Sequence, residues 1–168
     1  MATQIAIFAA GCFWGVQAYF DQVPGVLNTT VGYTGGHVPN PTYEQVCTHT
    51  TGHAEACRIE FDPNQVSFRD LVRQFYRMHD PTQVDGQGPD IGDSYRSAIF
   101  YTSPIQQQEA DEVTVMVQKT LDKPIATEIT KATDFYEAED YHQKYFEKTG
   151  QGACHVAYAP LDKESFYK

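Results

Sequence analysis

Residues 4 to 10 form a short, nearly unbroken apolar run, Gln4-Ile-Ala-Ile-Phe-Ala-Ala10, whose length suits a buried strand. After Gly11 the period changes: Phe13, Val16, Tyr19, Phe20 and Val23 recur at helical spacing, which predicts a helix over residues 12–22 ended by Pro24-Gly25. Residues 26–31 read as a second strand, and a loop rich in Gly and Pro follows from Gly32 to about Thr42. Over residues 55–61 the alternation puts Glu55, Cys57, Ile59 and Phe61 on one strand face and Ala56, Arg58 and Glu60 on the other. An acid therefore shares the apolar side of that strand.

Ser67 is placed to cap a helix in which Phe68, Leu71, Val72, Phe75 and Tyr76 form a stripe, ending before Asp80-Pro81. A second irregular loop, residues 85–93, leads into a strand at 97–101; a helix over 104–121 and a strand near 126–130 follow. Residues 134–148 predict a last, tyrosine-rich helix, while 150–168 have little periodicity and are expected to wrap the surface. Strands and helices alternate without a repeat or linker. The expectation is one domain over 1–168, of mixed α/β (α+β) class.

Composition narrows the function classes. A chain of 168 residues with 41% hydrophobic content can bury roughly two-thirds of its unfolded surface in one core. Lys and Arg number 12 against 22 Asp and Glu, a formal charge of -10 that repels phosphate backbones and anionic membranes. Nucleic acid and membrane partners are thereby disfavoured. The N-terminus lacks the basic start and long apolar region of an export signal, and no stretch approaches the ~20 apolar residues of a membrane span, so a cytoplasmic chain is expected. Its 4 cysteines do not resemble the disulfide scaffold of a small secreted protein.

Gly11-Cys12-Phe13-Trp14-Gly15 places a thiol at a strand-to-helix junction, where unpaired backbone N–H groups and the helix dipole favour an anion. Such settings bring a cysteine pKa to ~3.5–7.5 and make a nucleophile; the alternative is a small thiol buried in the core. Phe13 and Trp14 offer an apolar wall beside the thiol, or serve as core aromatics. Glu55, on a half-apolar face, is a candidate proton donor because desolvation disfavours its charged form; the other reading is an ionised carboxylate paired with His53 or Arg58. Tyr43 and Tyr95 lie in or beside the two irregular loops and can hydrogen-bond a polar substrate group, with Asp90 orienting them or simply forming a turn.

Cys154, in Gly150-Gln-Gly-Ala-Cys154-His155, suits a second thiol that condenses with an oxidised Cys12, against a tail cysteine with no role. The segment from Cys47 to Cys57, with His49 and His53 between them, raises a rival reading as a zinc-binding or interaction domain. Extended geometry opposes it, since His53 and Cys57 would stand ~13 Å apart at ~3.3 Å per residue. No metal is expected. A third class, a cysteine hydrolase, needs a histidine base that no motif suggests.

These residues resemble the A-type peptide methionine sulfoxide reductases over nearly the whole chain from Gly11 to Cys154. Besides the Cys12 pentapeptide, Val31-Gly-Tyr-Thr-Gly-Gly36, Pro41-Thr-Tyr43, Thr51-Gly-His-Ala-Glu55 and Ser94-Tyr-Arg-Ser97 are similar to that family's motifs, in order. The resemblance implies a two-layer sandwich with a ferredoxin-like core, no cofactor, and reduction of methionine-S-sulfoxide, free or in proteins. Cys12 would be the nucleophile, Glu55 the proton donor and Cys154 the recycling thiol. Phe13 and Trp14 would hold the methyl group, and Tyr43 and Tyr95 the oxygen, with Asp90 in support. Thioredoxin is the implied reductant of a Cys12–Cys154 disulfide, acting on a monomer. Many relatives carry a longer glycine-rich tail with a second recycling cysteine; here none follows Cys154, which implies a two-cysteine cycle.

Overall fold

The structure, a computed structural model, describes residues 3–149. Strand β1 (Gln4–Ala10) lies at the centre of a sheet of six strands, and helix α1 (Phe13–Phe20) follows it directly. The chain then continues through β2 (Val26–Thr34), the one-turn helix α2 (Tyr43–Cys47), β3 (Ala54–Phe61) and α3 (Phe68–Arg77). A small hairpin of β4 (Gly86–Gln87) and β5 (Asp90–Ile91) and a 3-10 turn at Asp93–Tyr95 precede β6 (Ser97–Tyr101), α4 (Pro104–Gln118), β7 (Glu128–Lys131), β8 (Phe135–Glu137), a 3-10 turn at Asp140–His142 and α5 (Tyr145–Thr149).

The sheet order is β7-β6-β1-β3-β2-β8, antiparallel throughout except for the parallel β6–β7 pair. Its middle four strands, β6-β1-β3-β2, with α1 and α3 as connections, make the split βαβ arrangement of a ferredoxin-like core. The mixed α/β class that the periodicity predicts is the one observed. The alternation in β1 divides two apolar clusters: Ala6, Phe8 and Ala10 pack with α1, α3 and α4, whereas Ile7 and Ala9 pack with Ala54, Ala56, Ala98 and Phe100 on the other face. Phe8 alone touches the rings of Phe20, Phe68 and Phe75, with centroids 5.5, 6.0 and 5.1 Å apart. Ser67 caps α3 with a reciprocal box to Asp70, as its position suggests.

Two expectations need correction, and one element is added. Strand β2 does not stop at Val31: Gly32, Tyr33 and Thr34 pair with Ala56, Glu55 and Ala54 on one side and with β8 on the other. Tyr43–Cys47, for which no element is expected, is a helical turn capped by a Thr42–Gln45 box. The helix expected over 134–148 is absent; β8, a 3-10 turn and a five-residue helix take its place. Sheet pairing with Gly32 to Thr34 and the side chain of Gln143, which bonds both Val31 N–H and its carbonyl, override the helical spacing of the tyrosines. The expected surface tail, 150–168, lies outside the described residues.

Candidate active site

Two strand ends meet at the N-terminus of α1. β1 ends at Ala10, and Gly11 turns the chain with φ 91, a conformation that a residue with a Cβ adopts rarely, so that Cys12 becomes the N-cap of α1. Cys12 is half-buried. β3 begins at Ala54, and its register against Tyr33 of β2 places Glu55 beneath the same helix end. The Phe13 N–H donates to Glu55 Oε1 at 3.3 Å, and Glu55 is only 2% exposed. The expected acid is therefore bonded one residue from the expected nucleophile. Neither partner imagined for it is engaged there: His53 Nδ1 accepts from Gly36 N–H while Nε2 bonds the Val38 carbonyl, and Arg58 pairs with Glu137 at 3.1 Å.

Tyr43 and Tyr95 reach the same place from separate turns. Tyr43 opens α2, its N–H donating to Glu139 Oε2 at 3.0 Å, and its ring packs on His142 with centroids 4.5 Å apart. Tyr95 ends the 3-10 turn after the β4–β5 hairpin. Burial pushes both phenols up, and the charge of Glu55 raises them further; Asp90 adds to the effect on Tyr95. Both therefore remain hydrogen-bond donors throughout the neutral range. Cys47 stands in the same group, its thiol pushed up by burial and by Glu55, Glu139 and Glu44, against a hydrogen bond from Tyr43. Cys57 shares the face of Glu55 but is completely buried, and desolvation pushes its thiol up so far that it stays uncharged.

The apolar side is layered. Phe13 is 1% exposed and packs on Tyr33 and His142 at 5.7 and 5.2 Å, so it backs the wall. Trp14 is the half-buried face, stacked on Tyr145 at 3.8 Å with planes 8° apart. The indole Nε1 donates to His142 Nδ1 at 2.9 Å, which fixes that nitrogen as an acceptor. His142 itself is fully buried, and desolvation holds its pKa below the usual histidine range despite the opposing charge of Glu139. For Glu139 burial opposes the charge, but hydrogen bonds from Tyr43 N–H and the Tyr33 hydroxyl outweigh it and keep the carboxyl below its usual range.

Of the sequence candidates, the structure thus gathers Cys12, Phe13, Trp14, Tyr43, Glu55, Asp90 and Tyr95; Cys154 lies outside the described residues. Glu139, His142 and Tyr145 complete the wall and are not singled out by the sequence reading. Their signal is the spacing of an acid, a histidine and a tyrosine at three-residue intervals, which looks like a helix stripe. Among the described residues no three His, Cys, Asp or Glu side chains converge as metal ligands.

Residues 4–168 match the sequence model of the family described as peptide methionine sulfoxide reductase. The chain belongs to that family. A relative from Acidobacterium capsulatum, named peptide methionine sulfoxide reductase MsrA, is 49% identical over 155 residues, covering 90% of this chain and 98% of its own. The crystal structure of Mxr1 from Saccharomyces cerevisiae in reduced form superposes with a TM-score of 0.86 at 33% identity, covering 90% of this chain and 88% of that one. Mxr1 in complex with Trx2 shares the fold at a TM-score of 0.62 and 23% identity, covering 85% and 84%. The matched span of the peptide methionine sulfoxide reductase family takes in every element that builds the site.

Proposed function

We propose that this chain reduces methionine-S-sulfoxide to methionine by direct attack of Cys12 on the sulfoxide sulfur. The observation that carries the reading is the Phe13 N–H bond to Glu55, which sets a buried carboxyl beside a thiol at one helix end. Two anions at that spot repel, and the reaction needs the one proton on Glu55 and the charge on Cys12. The first-turn N–H groups, which helix geometry leaves without intrahelical partners, and the helix dipole favour the thiolate. In the reaction the thiolate bonds to the sulfoxide sulfur while Glu55 protonates the oxygen; the hydroxyl then passes to the Cys12 sulfur as the bond between the two sulfurs breaks. Methionine leaves, its sulfur reduced, and Cys12 becomes a sulfenic acid.

Tyr43 and Tyr95, held as neutral phenols, donate to the sulfoxide oxygen and stabilise the charge it gains as the S–O bond breaks. Asp90 supports Tyr95 through its charge. Trp14 receives the methyl group, its indole stacked on Tyr145 and bonded to His142, and Phe13 backs His142. The Cys154 thiol then condenses with the sulfenic acid, forming a Cys12–Cys154 disulfide and releasing water. A thioredoxin dithiol restores both thiols; the Mxr1–Trx2 complex supports that choice of reductant. The cycle needs no cofactor, runs in a monomer of one domain and belongs to the cytoplasm; no helix among the described residues is long and apolar enough to cross a membrane.

Separated epimers of a sulfoxide-containing peptide, assayed with thioredoxin, its reductase and NADPH, test the reading. Turnover of the S epimer alone is expected, and equal rates on both would refute the stereochemical part. Cys154→Ser should form one methionine per enzyme and stop; continued turnover would assign the recycling step to a different thiol.

A further inference from the structure

His49 adopts φ 60, a left-handed conformation that a side-chain-bearing residue keeps only when its surroundings hold it there. The holding contacts are made by its ring. Nδ1 lies 3.2 Å from Ser94 Oγ and 3.5 Å from Asp93 Oδ1, and the imidazole stands edge-on to the Tyr95 ring at 6.2 Å. It also presses on Gly92, where an added Cβ would come within 2.3 Å of the ring and where φ is 134. One side chain thus meets four consecutive residues, Gly92 to Tyr95.

Those four residues are the 3-10 turn and its N-cap, the piece of chain that carries Tyr95. A single 3-10 turn is weakly determined by its own hydrogen bonds, here Tyr95 N–H to the Gly92 carbonyl at 3.0 Å and Arg96 N–H to the Asp93 carbonyl at 3.2 Å. Arg96 ties the C-terminal end of the turn to the α2–β3 connection, donating to the carbonyls of Asp93 and Gly52 at 2.8 and 3.0 Å. The rest of the turn, Gly92 to Tyr95, is met from the same connection by His49.

We propose that His49 is a positioning residue for Tyr95: its imidazole latches the Gly92–Tyr95 turn to the α2–β3 connection and so fixes the phenol among Cys12, Glu55 and Asp90. This rests on the reading of Tyr95 as an oxygen-binding donor. The arrangement trades backbone strain at one exposed residue for precision at another. It also joins the two tyrosines mechanically, because the connection that bears His49 begins at the end of the helix opened by Tyr43.

His49→Gly separates the latch from the fold, since glycine relieves the strained φ while removing the ring. The expected result is an unchanged or higher melting temperature with kcat lowered roughly 3–10-fold and KM within about twofold, a fraction of the ~10²-fold that a 1 Å misplacement can cost. His49→Asn, which tolerates the same φ and places an amide near the Nδ1 position, should restore kcat to within about twofold of wild type. In a Tyr95→Phe background, His49→Gly should change kcat less than twofold, because the group being positioned is gone. Wild-type kcat in His49→Gly, or the same fold-loss with and without the Tyr95 hydroxyl, would overturn the proposal. A fluorotyrosine introduced at 95 reads the latch independently of turnover: its 19F resonance should shift or broaden in His49→Gly, and an unmoved line would refute the latch. Tyr95→Phe at the wild-type rate would instead refute the oxygen-binding role, with the 19F line still deciding the latch.

Discussion

Cys12 and Glu55 stand on regular structure, whereas Trp14, Tyr43 and Tyr95 depend on side chains borrowed from elsewhere. The first pair is set by the registers of β1, β3 and β2 and by one turn through Gly11, so its spacing is as firm as the sheet. The aromatic group is held by contacts from side chains far along the chain: Trp14 by His142 and Tyr145, Tyr43 by Glu139 and His142, Tyr95 by the turn that His49 and Arg96 clamp. Changes in the first region should remove the reaction, while changes in the second should tune it.

The largest effect is expected at Glu55. Glu55→Gln keeps the shape and the contact to Phe13 N–H but carries no proton to give, so kcat should fall by ~10²–10⁴ with KM little changed. A rate within threefold of wild type in single-turnover measurements would move the proton donor elsewhere and erase the distinction between the two regions.

His142 should give an intermediate effect that depends on pH. Its folded pKa lies below the unfolded value near 6.5, so the unfolded chain takes up a proton that the folded chain refuses. The contribution is complete above about pH 6.5 and is lost as pH falls toward the folded value, at no more than about 1.4 kcal/mol per pH unit. Protonated Nδ1 would also turn a donor toward the Trp14 indole, breaking the 2.9 Å bond. Thermal melts from pH 8 to 5 should decline below about pH 6.5 in wild type and flatten there in His142→Gln; identical slopes would assign the acid sensitivity to other groups.

Glu139→Gln should have the smallest effect. The amide oxygen keeps the bond from Tyr43 N–H, while the NH2 that replaces Oε1 donates to the Tyr33 hydroxyl oxygen, and both bonds lose their charge, a change worth about 1 kcal/mol. Stability measured in urea should drop by about that amount with kcat within threefold of wild type; a loss as large as that of Glu55→Gln would place Glu139 in the chemistry itself.

The same division explains what the sequence discloses. Cys12 and Glu55 are legible because a strand-to-helix switch and a two-residue alternation are local patterns, and both put the side chain where the structure has it. Tyr43 and Tyr95 are legible through motif resemblance, not through periodicity. Glu139, His142 and Tyr145 are hidden: their spacing imitates a helix, and only the pairing of β8 with the end of β2, some hundred residues away in the chain, directs them to Trp14 and Tyr43. The left-handed backbone at His49 is likewise invisible, since no local pattern announces a non-glycine residue at positive φ.

The central claim is that the Cys12 sulfur itself receives the oxygen. One equivalent of a methionine-S-sulfoxide peptide added to Cys154→Ser protein, followed at once by dimedone and intact-mass and fragment analysis, tests it most directly. Dimedone attached at Cys12, in proportion to the methionine formed, is the predicted result. Methionine formed with Cys12 unmodified, or a Cys12→Ser protein that still makes it, would contradict the account.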